Sequence, residues 1–151
     1  KTLDDYCSAD VKDIEKIIYS CGFYKSKAES IIDMAKGVRD RFGGIVPDSI
    51  DDLITLNGVG RKTANLIVGD IYHKQAIVVD THMIRIANRI GLVCEKDPKK
   101  IEFALKKLIP AEESSDFCHR IVLFGRDTCP ARKPKCDGCP MDFNCKKIGV
   151  K

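Results

Sequence analysis

Long apolar runs are absent from this chain. The longest, 76–79 and 121–124, have four residues each, and a membrane-spanning helix needs about 20. No signal-peptide pattern opens the chain, which starts on Lys1 rather than Met. Together these absences set the expectation of an intracellular protein, in the cytoplasm or nucleoid, with no membrane partner. Internal repeats and low-complexity tracts are missing too, which excludes solenoid and linker architectures. Strand signals are nearly absent. Residues 75–79 (Gln-Ala-Ile-Val-Val) read as a buried extended segment with no second strand to pair with. Disorder is excluded by composition, 44% hydrophobic and 32% charged. A length of 151 residues suits one domain, or two small lobes sharing a core.

What is present is helical. Asp10 reads as an N-cap for a stripe of Val11, Ile14, Ile17 and Ile18 that Gly22 stops. Ser26 reads as the cap of a second helix, with Ala28, Ile31, Ile32, Ala35, Val38 and Phe42 inward, ended by Gly43-Gly44. Ser49 opens a short helix over 50–56, and another runs over 61–72. Asp80-Thr81 starts a helix that Gly91 closes near Ile90. Pro98 starts one ending at Leu108, and a last one covers about 112–124. Loop follows from Gly125, so the expected class is all-α with a small C-terminal loop lobe. The expected division is a helical core over 1–109 and a second part, 110–151, of the last helix and that lobe.

Charge is distributed unevenly. Net charge is +4, yet residues 1–125 carry 19 basic and 19 acidic groups. Residues 126–151 hold seven basic groups against three acidic ones, so the whole excess lies there. A basic tail suits either a solvated surface or a polyanion partner such as nucleic acid.

Eight cysteines are many for this length. Cys7, Cys21, Cys94 and Cys118 are scattered and read as small buried hydrophobes. Cys129-x6-Cys136-x2-Cys139-x5-Cys145 crowds four thiols into 17 residues. Without a secretory signal, metal is a stronger reading than disulfides. The spacing does not suit a zinc ribbon built from two similar Cys-x2-Cys pairs, though zinc stays open as an alternative to a cluster.

The segment Leu56-Asn57-Gly58-Val59-Gly60-Arg61-Lys62-Thr63-Ala64 joins two helices through a Gly-x-Gly turn. Glycines allow close backbone approach, and the turn leads into a helix N-terminus with free amides and a positive dipole end. That is a backbone phosphate site, which positions a nucleic acid without reading its sequence. An ordinary αα-hairpin is the other reading. Basic Arg61 and Lys62, with Leu56 and Val59 beside the turn, favour DNA.

These residues resemble the helix–hairpin–helix of the endonuclease III family of DNA glycosylases. The segment Val78-Val79-Asp80-Thr81-His82, with Asp80 18 residues after Lys62, resembles that family's catalytic aspartate segment. The likeness covers nearly the whole chain. It implies excision of oxidised or damaged pyrimidines from duplex DNA, followed by abasic-site lyase chemistry. In that frame Lys62 is the Schiff-base nucleophile and Asp80 the carboxylate that activates it and stabilises positive charge at the sugar. Desolvation and the helix N-terminus would favour the neutral amine that attack requires. Relatives that only excise mismatched bases lack this lysine, so its presence implies a bifunctional enzyme. The resemblance further implies a 4Fe–4S cluster on Cys129, Cys136, Cys139 and Cys145, structural in role. The cluster would present Arg132, Lys133 and Lys135 to the DNA backbone. Gly58, Val59, Gly60 and Arg61 form the expected DNA-binding turn. Phe23 falls at the family's wedge position, with a buried helix-end contact as its alternative. His82 and Arg85 are candidates for contacting the opened strand, with simple surface polar residues as the alternative, and His119 reads as structural. The family begins with two to three helices that this chain lacks, so an N-terminally truncated member, monomeric when complete, is expected. The competing readings are a non-catalytic DNA-binding module and an inert fragment.

Overall fold

The computed structural model describes residues 2–150. Their regular structure is eight α-helices and one 3-10 turn, with no strand, so the class is all-α. No described helix is long and apolar enough to cross a membrane. The chain divides into two compact units, one ending at Ala64 and the other beginning at Asn65.

The first unit contains α1 (Leu3–Cys7), α2 (Val11–Ile17), α3 (Tyr24–Phe42) and α4 (Ile50–Leu53). Helix α1 is not expected from periodicity. It is five residues long and depends on a capping box in which Thr2 and Asp5 satisfy each other's amides. Both α1 and α2 pack on α3. Ile14, Ala28 and Ile32 form a small buried cluster, with Val11, Ile18 and Ile31 against it. Asp10 caps α2 as expected, accepting from the Lys12 amide at 2.7 Å. The helix stops at Ile17 rather than at Gly22, because the Cys21 amide turns back to the Ile18 carbonyl at 2.8 Å. Helix α3 starts at Tyr24, not after Ser26. Phe23 takes the N-cap in a left-handed conformation (φ 59°) with no side-chain cap. Its end is the expected one: Gly43 and Gly44 have φ of 60° and 82°, and the Gly44 amide reaches the Val38 carbonyl. Helix α4 is shorter than 50–56, since the Leu56 amide bonds three residues back to Leu53.

The division between units falls inside α5 (Arg61–Asp70). The second unit holds the rest of α5, α6 (Thr81–Ile90), α7 (Pro98–Leu108), the 3-10 turn Ala111–Glu113 and α8 (Ser114–Asp127). The cysteine lobe follows. Helices α6 and α7 carry their expected bounds, capped by Asp80 and Asp97. These helices group with α8 because they share one core: Ile77, Met83, Ile86, Ala87, Ile101, Leu105, Cys118 and Ile121. Full burial of an aliphatic side chain contributes about 1.5–3 kcal/mol, and this cluster holds most of the fully buried ones.

The extended segment through Ile77 runs into this core without a ladder. Its amides are instead satisfied by side chains. Ala76 N–H donates to Ser114 Oγ (3.3 Å), Ile77 N–H to Asn65 Oδ1 (3.3 Å) and Val78 N–H to Cys118 Sγ (3.2 Å). Asn65, Ser114 and Cys118 are all buried. Cys118 is therefore more than a small hydrophobe. Burial pushes its thiol up and outweighs the Val78 amide, so it remains protonated.

Candidate active site and cysteine lobe

The hairpin turn is anchored by Leu56 and Val59, which are buried, while Asn57, Gly58 and Gly60 are exposed. The Val59 amide donates to the Leu56 carbonyl at 3.1 Å, closing the turn. Gly58 has φ 76°, and a Cβ there would fall 2.6 Å from Ser30 Cβ; both facts require glycine. The first helical bond of α5 runs from Ala64 N–H to Gly60 O (3.0 Å). The amides ahead of Ala64 thus lie at the positive end of the helix dipole, as an anion site requires. Val59 presents no side chain here, so its contribution is to hold the turn. Arg61 is half-buried.

Lys62 is exposed in the first turn of α5. The helix N-terminus expected behind it is present, but the burial expected around it is not. Asp80 is half-buried at the start of α6, where Oδ1 accepts the Met83 amide at 2.8 Å. It therefore serves as the N-cap, with its second oxygen uncommitted to that bond. The Asn65, Ser114 and Cys118 bonds hold the segment that leads into it.

His82 and Arg85 turn toward the chain itself. Arg85 donates to the Gly125 carbonyl (Nη2, 3.0 Å) and to the Cys129 carbonyl (Nη2 3.0 Å, Nε 3.3 Å). Its Nη2 also lies 3.1 Å from His82 Nδ1. A Cβ at Gly125 would come 2.5 Å from that His82 nitrogen, so α8 needs glycine at this crossing. The Arg85 guanidinium ties α6 to the end of α8. His119 is structural: its Nε2 lies 3.1 Å from both Asp70 oxygens, and Ser115 Oγ donates to Asp70 at 2.6 Å.

Phe23 is 89% exposed, the reverse of a buried helix-end contact. Its left-handed conformation (φ 59°) is uncommon for a non-glycine residue. Tyr19 and Tyr24 flank it in sequence, their rings 5.0 Å apart.

The four clustered cysteines are half-buried and line one cavity in the lobe. Among the described residues no group of three or more His, Cys, Asp or Glu is gathered as a metal-ion site. Arg89, buried on α6, binds the lobe at three points: Cys129 Sγ (3.3 Å), the Pro130 carbonyl (2.7 Å) and the Ala131 carbonyl (2.8 Å). Lys147 N–H donates to Cys145 Sγ at 3.4 Å. The amides of Lys146 and Ile148 reach the carbonyls of Ile90 and Arg89. Arg132, Lys133 and Lys135 are exposed, Lys133 with φ 53°. Lys147 is matched by Asp142 at 2.7 Å, whose carboxylate holds the ammonium pKa above its usual value.

Sequence reading missed Asn65, Ser114 and the bonding role of Cys118. The available signal was a polar residue, Asn65, beside the apolar Ala64, Ile67 and Val68 of α5.

The family model for HhH-GPD superfamily base excision DNA repair proteins matches residues 1–111. The chain is 38% identical to endonuclease III of Thermotoga maritima over 146 residues, spanning 97% of this chain and 68% of that protein. Endonuclease III of Bacillus subtilis is 37% identical over 148 residues, with the same shares. In structure the chain is similar to a trapped endonuclease III–DNA covalent intermediate, the estranged-adenine complex. The TM-score is 0.90 at 38% identity, covering 97% of this chain and 69% of that one.

Proposed function

This chain belongs to the HhH-GPD superfamily of base excision DNA repair proteins, and from that premise we propose that it is a DNA glycosylase with abasic-site lyase activity. Its substrate is duplex DNA carrying an oxidised or damaged pyrimidine, or the abasic site left by its removal. The observation that carries this reading is the hairpin: a glycine turn with α5 amides at its edge and an exposed amine, Lys62, in the first helical turn.

Chemistry follows from these groups. The turn and the amides starting α5 hold a backbone phosphate, and Arg61 adds positive charge. Arg132, Lys133 and Lys135 contact phosphates from the lobe. Phe23 fills the stack when the damaged base is turned out, a step that costs a few kcal/mol. Once its proton has passed to solvent, the Lys62 amine attacks C1′ of the deoxyribose. The C1′–N bond breaks, its electron pair leaving with the base, which takes up a proton. Asp80 stabilises the positive charge that develops at C1′. Opening of the sugar ring gives a protonated imine between Lys62 and C1′. Loss of a C2′ proton then expels the 3′ phosphate and nicks the strand. Water hydrolyses the imine and returns the lysine.

The four cysteines that line one cavity are the donor set for a cluster of the 4Fe–4S type, the cofactor we propose. Cys129, Cys136, Cys139 and Cys145 would hold it. The Arg89 and Lys147 N–H groups directed at two of the sulfurs would compensate thiolate charge with the cluster bound. When bound, the group would staple the lobe and do no redox step in the chemistry proposed here.

Borohydride trapping on a duplex with one abasic site tests the function. The intact chain is expected to form a covalent adduct, and Lys62→Ala to form none while still binding the DNA. Binding without an adduct would leave a DNA-binding module, and catalysis would be abandoned.

A further inference from the structure

The hairpin turn is tied to α3 at two adjacent points that the chemistry above does not use. Asn57 Nδ2 donates to Asp33 Oδ2 at 2.8 Å. One residue on, Gly58 comes so close to α3 that a Cβ would fall 2.6 Å from Ser30 Cβ. Ser30 and Asp33 lie one helical turn apart, so the same stretch of α3 both supports the turn by contact and binds it by a charged acceptor. Beside them runs a groove lined by Lys27, Ser30, Ile31, Met34, Asn57 and Gly58. Asp33 and Asn57 are both exposed, so their bond removes little surface from water.

The sign of Asp33 runs against its location. A turn that receives a phosphate is disfavoured by a carboxylate next to it, since like charges repel across a few ångströms. Electrostatics alone would remove this residue. Its benefit must then be geometric. Asn57 precedes Gly58, and fixing its side chain fixes the direction in which the turn enters Gly58–Gly60. We propose that Asp33 is a positioning residue for DNA binding: by holding Asn57 it keeps the turn in the one arrangement that presents its amides to phosphate, and its charge opposes that binding. The inference rests on the DNA reading given above.

Charge and geometry predict opposite outcomes for two substitutions, which makes the test decisive. Asp33→Asn keeps an oxygen that accepts from Asn57 Nδ2 and removes the charge. Asp33→Ala removes both. Affinity for a duplex with a stable abasic-site analogue is measured by fluorescence anisotropy at low and moderate salt. Asp33→Asn is expected to bind as tightly as the parent, or up to about twofold tighter at low salt, where repulsion is least screened. Asp33→Ala is expected to bind about two- to tenfold more weakly than Asp33→Asn, the range for loss of one hydrogen bond. Asn57→Ala breaks the same bond from the turn side and should match Asp33→Ala. The double variant should be no weaker than either single, because both remove one interaction. Thermal melts of all four variants check folding.

Asp33→Ala binding as tightly as Asp33→Asn would overturn the inference, since charge alone would then act. So would additive losses in the double variant. Either result, with a parent chain that still forms the Lys62-dependent adduct, refutes the positioning role and leaves the function standing. A parent chain that neither binds nor traps DNA overturns the function, and this inference with it.

Discussion

Replacing Asn65 by Ala tests how the extended segment is held. The Ile77 amide lies in the core, where the residue is fully buried, and Asn65 Oδ1 is its acceptor at 3.3 Å. There is no neighbouring strand among the described residues to replace it. Asn65 is itself only 1% exposed, so water has no ready access to the site. A stranded buried donor costs about 1–3 kcal/mol. For a chain of this length each kcal/mol lowers the melting temperature by about 2–4 °C. Asn65→Ala should therefore melt about 2–12 °C lower, read by circular dichroism. Leu66→Ala is the control: it is next in the helix but 39% exposed, and should change stability by about 0.5 kcal/mol or less. The segment runs on to Asp80, so adduct formation should also slow in Asn65→Ala at temperatures where the variant is folded. An Asn65→Ala chain that melts with the parent would refute the reasoning, because the Ile77 amide would then have another acceptor.

The remaining predictions concern the lobe and one carboxylate. The purified chain should be brown, with about four irons per molecule; Cys139→Ser should lose the colour, and a colourless parent carrying one zinc would replace the cluster with an ion. Burial raises the Asp70 carboxyl, but the Ser115 hydroxyl and the His119 imidazole outweigh it, leaving it below its ordinary value of 3.8. A depressed carboxyl stabilises the folded state above the unfolded value and loses that contribution as pH falls through the folded one. Asp70→Asn should thus be less stable than the parent at neutral pH, with the gap closing below about pH 4, measured as urea midpoints. A gap that stays constant down to pH 2 would show that the pair contributes nothing through charge.

Local signals in this chain were legible because the interactions behind them are local. Asp80 and Gly91 bound α6, and Pro98 starts α7, because caps and helical periodicity operate within four residues. The Gly-x-Gly turn, Lys62 in the first turn after it and the crowding of four cysteines are likewise short-range patterns. Where the local rule had a competitor the bounds moved: α2 stops at Ile17, where the Cys21 amide turns back to Ile18, and α3 starts after a left-handed Phe23 rather than at Ser26. Other features belong to tertiary structure alone. The segment at 76–78 is extended without being a strand, since its amides find Asn65, Ser114 and Cys118, 12 to 40 residues away. Arg85 reads as a candidate contact for the opened strand, yet it reaches carbonyls 40 and 44 residues on. Asn57 finds Asp33 at a separation of 24. Such bonds have no periodicity to betray them. A polar side chain at a given position is equally consistent with solvent, a ligand or a distant backbone group until the helices have packed, and only then does desolvation make one partner obligatory.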